Sequence, residues 1–149
     1  MIIDGKKIAG QMLAELKKEV IEKNLKFNLA IILASNNAGL KKFVNLKAKA
    51  AQDIGVGCFI HEFPENISTE ELIEKVKKIV ADDVNKGVII ELPLPKHIEA
   101  QLVLNEITRE KDVDVLSQSA QNIFFSGQFE ILPPAVQAVK TILEFYQIN

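Results

Sequence analysis

The sequence is poor in the residues that usually announce chemistry. It has one cysteine, Cys58, and two histidines, His61 and His97, far apart from each other. A single thiol cannot close an internal disulfide and fits a reducing compartment. Isolated histidines read as surface or hydrogen-bonded structural residues, and Cys58 as a small core residue. No cluster has metal-ligand spacing. There is no glycine-rich phosphate loop and no nucleophile elbow. No apolar run approaches the roughly 18 residues needed to cross a bilayer. Met1-Ile2-Ile3-Asp4-Gly5 shows no basic region before an apolar stretch, so no secretory signal is read there and a cytoplasmic setting is expected. Charge of one sign is lacking too: 18 basic and 20 acidic residues leave a net charge of -2. A nucleic-acid surface would show a basic excess gathered on one stripe. The denser groups, Lys41-Lys42 with Lys47 and Lys49, and Lys75-Lys77-Lys78, lie inside helical patterns and read as solvated faces.

What is present is an ordinary globular composition, 48% apolar and 26% charged over 149 residues. That is enough to bury a core without metals or cross-links, and the chain is read as a single domain over 1–149. Ile8, Met12, Leu13, Leu16 and Val20 recur at helical spacing within 6–23. Asn28 to Ala34 is a short apolar run, as in a strand buried on both faces. Residues 38–54 read as a helix stopped by Gly55, and Val56 to Phe63 as a second strand. Ser68-Thr69-Glu70-Glu71 has capping-box spacing and opens a helix expected to end near Asp83. Gly87 to Leu92 is a third strand, halted by Pro93 and Pro95. A short helix around 98–107 precedes the polar Lys111-Asp112-Val113-Asp114. The stretch 115–133 reads as a loop with short extended pieces, and Pro134 to Tyr146 as a last helix.

Strand, helix, strand, helix, strand specifies an α/β sandwich of three layers, a mostly parallel sheet flanked by helices. Such sheets bind ligands beyond the carboxyl ends of their strands. Two features fall there. Phe43 and Lys47 are four residues apart and share one helix face, which gives either a lysine reaching the crevice or a solvated lysine beside an apolar ring. Glu91-Leu92-Pro93-Leu94-Pro95 closes the third strand, either aiming a carboxylate into the crevice or simply ending the strand.

The ordered segments resemble one family, the bifunctional methylenetetrahydrofolate dehydrogenase/cyclohydrolases, over their N-terminal catalytic domain. The resemblance rests on Ile2-Ile3-Asp4-Gly5-Lys6 with Ile8-Ala9, on Leu29 to Leu33, and on Lys47-Ala48-Lys49-Ala50 with Gly55. It rests further on Gly87 to Pro95, similar to the family's glycine-to-Gln-Leu-Pro-Leu-Pro segment, and on Lys111-Asp112-Val113-Asp114. The resemblance implies a cleft that oxidises methylenetetrahydrofolate with a nicotinamide cofactor and hydrolyses the methenyl product. It makes Lys47 the central catalytic group, and places Phe43, Ile90, Glu91, Leu92 and Asp114 against the folate, with Asp114 holding the pterin ring.

Departures from the family pattern gather at the same cleft. Phe43 replaces a tyrosine, keeping the ring and losing the hydroxyl. Glu91 replaces a glutamine; a carboxylate near a lysine favours its charged form, the reverse of what a proton acceptor requires. Leu40 stands for a serine, Val115 for a glycine, Pro133-Pro134-Ala135-Val136 for Pro-Cys-Thr-Pro, and Ala138 for a further glycine. The 149 residues contain no dinucleotide fingerprint, so the NADP used by the full-length family has no expected site here. Three readings follow: a truncated, degenerate member that binds folate weakly and is inactive alone as a dehydrogenase; a cyclohydrolase subunit using Lys47 beside a separate Rossmann-domain chain; or an interaction module, docking a partner or a second copy through apolar surface near Leu143, Phe145 and Ile148, that has left folate chemistry behind.

Overall fold

Asn28–Leu33 (β1) is the middle strand of a three-stranded parallel sheet, with Gly57–Glu62 (β2) on one side and Asn85–Ile90 (β3) on the other. The computed structural model describes residues 2–148. Ala30 to Leu33 are almost wholly buried, which explains their continuous apolar run: a central strand covered on both faces has no position left for a polar side chain. Helices Gly5–Glu22 (α1) and Ala38–Asp53 (α2) lie on one face of the sheet. Thr69–Ala81 (α3) and the short Ala100–Leu104 (α4) pack together on the other. The order β2-β1-β3 with helical crossovers is the α/β architecture expected from the sequence.

Alternation along the strands divides the core in two. Ala30, Ile32, Val88 and Ile90 pack with Leu72, Val76 and Ile79 beneath α3. Ile31, Leu33 and Ile89 pack with Val44 of α2. The capping box of α3 is formed in full, Ser68 Oγ accepting the Glu71 N–H and Glu71 reaching back to the Ser68 N–H. Gly55, at φ +89°, ends α2 in the left-handed conformation that glycine adopts without strain.

Several expected boundaries move. α1 begins one residue earlier because Asp4 Oδ1 accepts the Lys7 N–H. The third strand runs from Asn85 to Ile90 rather than from Gly87 to Leu92; the Glu91 N–H still donates to the Ile32 carbonyl at 2.9 Å, and Pro93, two residues further on, has no N–H to offer a ladder. α4 is shorter than the expected 98–107. The largest correction lies in 115–133, read as a loop, where Gln118–Phe125 forms a helix (α5) capped by Ser117 on the Ala120 N–H. Its apolar side chains are half solvated, Phe125 being 79% exposed, so the apolar stripe that reveals a helix is missing. The last helix, Pro134–Phe145 (α6), touches α1, and Tyr146 Oη accepts the Asp4 N–H at 2.8 Å.

Candidate active site

The cleft beyond the strand ends is assembled from three segments distant in sequence. Period-two alternation in β3 sets its geometry. Ile89 faces α2, Ile90 faces α3, and the next residue, Glu91, faces α2 again, where Lys47 projects. Lys47 Nζ donates to Glu91 Oε2 at 2.8 Å, across 44 residues of chain. The Glu91 side chain is 5% exposed and that of Lys47 23%. One turn before Lys47, Phe43 presents its ring at 4.7 Å from Nζ, within cation–π range, and remains half exposed. The ammonium is thus held between an aromatic face and a carboxylate, with the outer side of the ring open to solvent.

Asp114 arrives from the opposite edge. Val88 donates its N–H to the Lys111 carbonyl at 2.8 Å, and a parallel bridge aligns Val88 with Asp112. Continuing parallel to β3, the segment carries Asp114 to the end of the strand beside Glu91. Burial pushes the Asp114 carboxyl above its ordinary value of 3.8; Glu91 and Asp112 add to the shift, and Lys47 opposes it. Gly87 permits this close approach, since a Cβ there would lie 3.0 Å from Val113 Cγ1 and 3.1 Å from Leu29 Cδ1.

The sequence motif contains two further roles that residue type alone did not disclose. Asp112 is 1% exposed and accepts the Leu116 N–H on both oxygens, at 3.2 and 3.0 Å, and the Ser117 N–H at 2.7 Å. Its carboxylate therefore fixes the turn after Asp114 and the start of α5. Lys111 Nζ donates to the carbonyls of Val80 and Asp82, satisfying backbone acceptors at the end of α3. Val115 sits at φ +57° while 5% exposed, a left-handed conformation that a β-branched residue adopts only under strain.

A third device holds α2. Glu65, in the loop after β2, accepts the Asn36 N–H at 3.0 Å and the Ser35 hydroxyl at 3.3 Å. The Asn36 N–H chiefly, with help from Ser35, keeps its carboxylate below the ordinary 4.5. Asn37 then caps α2 by accepting the Leu40 N–H, setting the helix that bears Phe43 and Lys47.

Of the residues singled out from sequence, Phe43, Lys47, Glu91 and Asp114 converge on this cleft. Leu92 lies exposed at its rim. Ile90 does not join them: its side chain is 2% exposed in the core beneath α3, so only its main chain is left for a ligand. His97 Nε2 lies 2.9 Å from the Ile67 carbonyl, a structural contact. His61 Nε2 is buried without a partner, and burial lowers its pKa below 6.5. Cys58 packs between β2 and the α1–α2 face, and burial raises its thiol above 9.0. Among the described residues no group of histidine, cysteine and carboxylates could hold a metal, and no helix is long and apolar enough to cross a membrane. Nor do the strand-to-helix turns fit a dinucleotide. The loops after β1 and β2 carry no glycine, and the N-termini they lead into are closed by Asn37 and Ser68.

The same arrangement of segments occurs in known proteins. Residues 3–114 match the family model described as tetrahydrofolate dehydrogenase/cyclohydrolase, catalytic domain. The chain belongs to that family. Its curated relatives include the bifunctional protein FolD of Nautilia profundicola, 34% identical over 99% of this chain and 53% of the relative, and that of Enterococcus faecalis, 32% identical over 99% and 54%. The crystal structure of FolD from Campylobacter jejuni superposes with a TM-score of 0.93 at 30% identity, covering 99% of this chain and 54% of that one. The Trypanosoma brucei dehydrogenase-cyclohydrolase, solved in complex with NADP cofactor and inhibitor, gives 0.91 at 28% identity, over 99% and 52%. The chain thus spans about half the length of the relatives it matches.

Proposed function

We propose that this chain carries a folate site of the dehydrogenase/cyclohydrolase family in degenerate form, binding reduced folate weakly and not performing the hydride transfer within these 149 residues. The carrying observation is the 2.8 Å bond between Lys47 Nζ and Glu91 Oε2. In this reading Phe43 stacks against the ligand's ring system, Asp114 and the Ile90 to Leu92 main chain hold the pterin, and Lys47 faces the reacting carbon. A folate acceptor seeking the ammonium must share or displace the Glu91 bond. A hydrogen bond to a charged group contributes about 1.5–3 kcal/mol, so losing it weakens binding on the order of 10- to 150-fold. Hydrolysis of a cationic methenyl bridge also needs a proton acceptor for the attacking water. Phe43 has no hydroxyl to serve, and the Lys47 amine is already engaged by Glu91 at 2.8 Å. Hydride transfer needs NADP, for which these residues offer no cradle, so the dehydrogenase half requires a nucleotide-binding unit outside them. The single thiol and the mixed surface charge suit a reducing cytoplasm.

Isothermal titration with tetrahydrofolate, beside an absorbance assay of methenyltetrahydrofolate hydrolysis, tests this reading. Weak, saturable binding with negligible turnover is expected. Robust turnover by the chain alone overturns the degenerate reading in favour of a second, a cyclohydrolase subunit that uses Lys47 and works with a separate nucleotide-binding chain. The convergence of Lys47 with Asp114 favours that second reading, and under it Lys47→Met abolishes turnover while leaving the fold intact.

A further inference from the structure

Glu91 changes the charge of the cleft as well as the hydrogen bonding of Lys47. Three ionisable side chains meet there: Lys47, Glu91 and Asp114. Lys47 and Glu91 cancel each other across 2.8 Å. Asp114 has no such partner: it is half-buried, and among the described residues its carboxylate accepts no hydrogen bond. Burial, Glu91 and Asp112 outweigh the pull of Lys47 on it, as befits a negative charge left over. Asp112, behind it, is fully occupied by the Leu116 and Ser117 amides. With a glutamine at position 91 the lysine and Asp114 would balance; with Glu91 the cleft keeps an excess of negative charge.

The aromatic wall works in the same direction. The Phe43 ring lies 4.7 Å from Lys47 Nζ, and its outer side is open to solvent. Aromatic faces carry partial negative charge and attract cations placed over them. A flat ligand on that open side meets aromatic electron density, an unpaired carboxylate in the same cleft, and an ammonium already neutralised by its own partner.

We propose that Glu91 sets the charge preference of this cleft, turning it from neutral ring systems towards flat heteroaromatic cations held between the Phe43 face and the carboxylates. The proposal rests on the folate reading only for where the ring lies; the preference follows from the charges. Among reduced folates, such a cleft favours the methenyl form, whose bridge is cationic, over tetrahydrofolate, whose ring system is neutral.

Isothermal titration at neutral pH with N-methylquinolinium and with uncharged methylquinoline compares rings of one shape that differ in charge. An opposite charge within about 4–6 Å moves a charged-to-neutral balance by about ten- to a thousandfold. Solvent in an open cleft sets the expectation at the low end, a cation preference of about tenfold. Glu91→Gln, its fold checked by circular dichroism, should abolish the preference by weakening the cation and not the neutral ring. Asp114→Asn should reduce it in the same direction. Phe43→Ala should weaken both rings, since it removes the surface on which they stack. Methenyltetrahydrofolate against tetrahydrofolate, which share one anionic tail, should show the same preference and the same loss in Glu91→Gln. An affinity ratio that Glu91→Gln leaves unmoved overturns the proposal, and so does a parent chain that prefers the neutral quinoline or binds neither. Cation binding undiminished in Phe43→Ala overturns it too, because the ring then lies elsewhere. A quinolinium preference that depends on Glu91, with neither folate binding, sinks the folate reading and upholds the charge preference. Saturable tetrahydrofolate binding without any cation preference does the reverse.

Discussion

Replacing Glu91 by glutamine changes one atom in the cleft and reverses the logic of the Lys47 contact. Glu91→Gln keeps the volume and leaves a carbonyl oxygen to accept the Lys47 N–H that Oε2 now accepts at 2.8 Å. What it removes is the counter-charge of an ammonium that is 23% exposed. Breaking a fully buried ion pair costs about 3–5 kcal/mol. Here the lysine keeps some solvent, the Phe43 ring and an amide acceptor, so a loss on the order of 1–2 kcal/mol is expected, with hydrogen bonds to charged groups as the guide. Spread over a chain of this length, that lowers Tm by roughly 2–8 °C. Binding should move the other way. With the stronger competitor for the ammonium gone, tetrahydrofolate affinity should rise about tenfold or more, the low end of what one charged hydrogen bond contributes. Urea denaturation followed by circular dichroism suits the first measurement, because the chain has no tryptophan; isothermal titration serves the second. A variant that is destabilised as expected yet binds folate no better refutes the reasoning, because Glu91 would then not be what holds the affinity down.

Substitutions at three further positions test other parts of the site. Asp114 is raised above 3.8 in the folded state, so its ionised form costs stability at neutral pH, and that cost disappears as pH falls through its raised value towards 3.8. Asp114→Asn should therefore be more stable than the parent at pH 7, with the difference shrinking across that window; a difference that grows on acidification contradicts the sign. At Val115, left-handed backbone costs a non-glycine residue about 1–2 kcal/mol, while its buried side chain contributes about 1.5–3 kcal/mol. Val115→Gly should thus stay within about 1–2 kcal/mol of the parent, and Val115→Ala, which loses the methyls and keeps the strain, should be the less stable of the two by denaturant titration. Asp112→Asn removes a buried acceptor of the Leu116 and Ser117 amides. It should cost about 1.5–3 kcal/mol and speed hydrogen exchange at those two amides, an effect absent if Asp112 merely fills space.

The sheet was legible in the sequence because β1 and β3 are covered on both faces, and continuous burial writes itself as a continuous apolar run. α3 was legible through its cap, since Ser68 and Glu71 act on each other over three residues. α5 was not, for its apolar side chains are shared between core and solvent, and Phe125 is mostly exposed. The cleft divides in the same manner. Phe43 and Lys47 announce each other by helical spacing, but no local pattern pairs Lys47 with Glu91 across 44 residues; only resemblance to a family placed them together. Ile90 was assigned to the ligand by resemblance; strand alternation sends its side chain into the core and leaves its main chain at the cleft. Val115 stands where the family has a glycine, and it adopts the positive φ that glycine takes without strain and a β-branched residue does not.

The hydrogen bond from the Asp4 amide to Tyr146 joins residues 142 positions apart. The contact is a seam between the start of α1 and the end of α6. A contact of such separation forms late, after the sheet has brought its partners near, and has little buried apolar area to hold it shut. The seam is therefore where thermal opening should begin, peeling α6 from α1 while the strands and the cleft remain folded. A reporter placed near Tyr146 would register that partial opening well before the molecule melts.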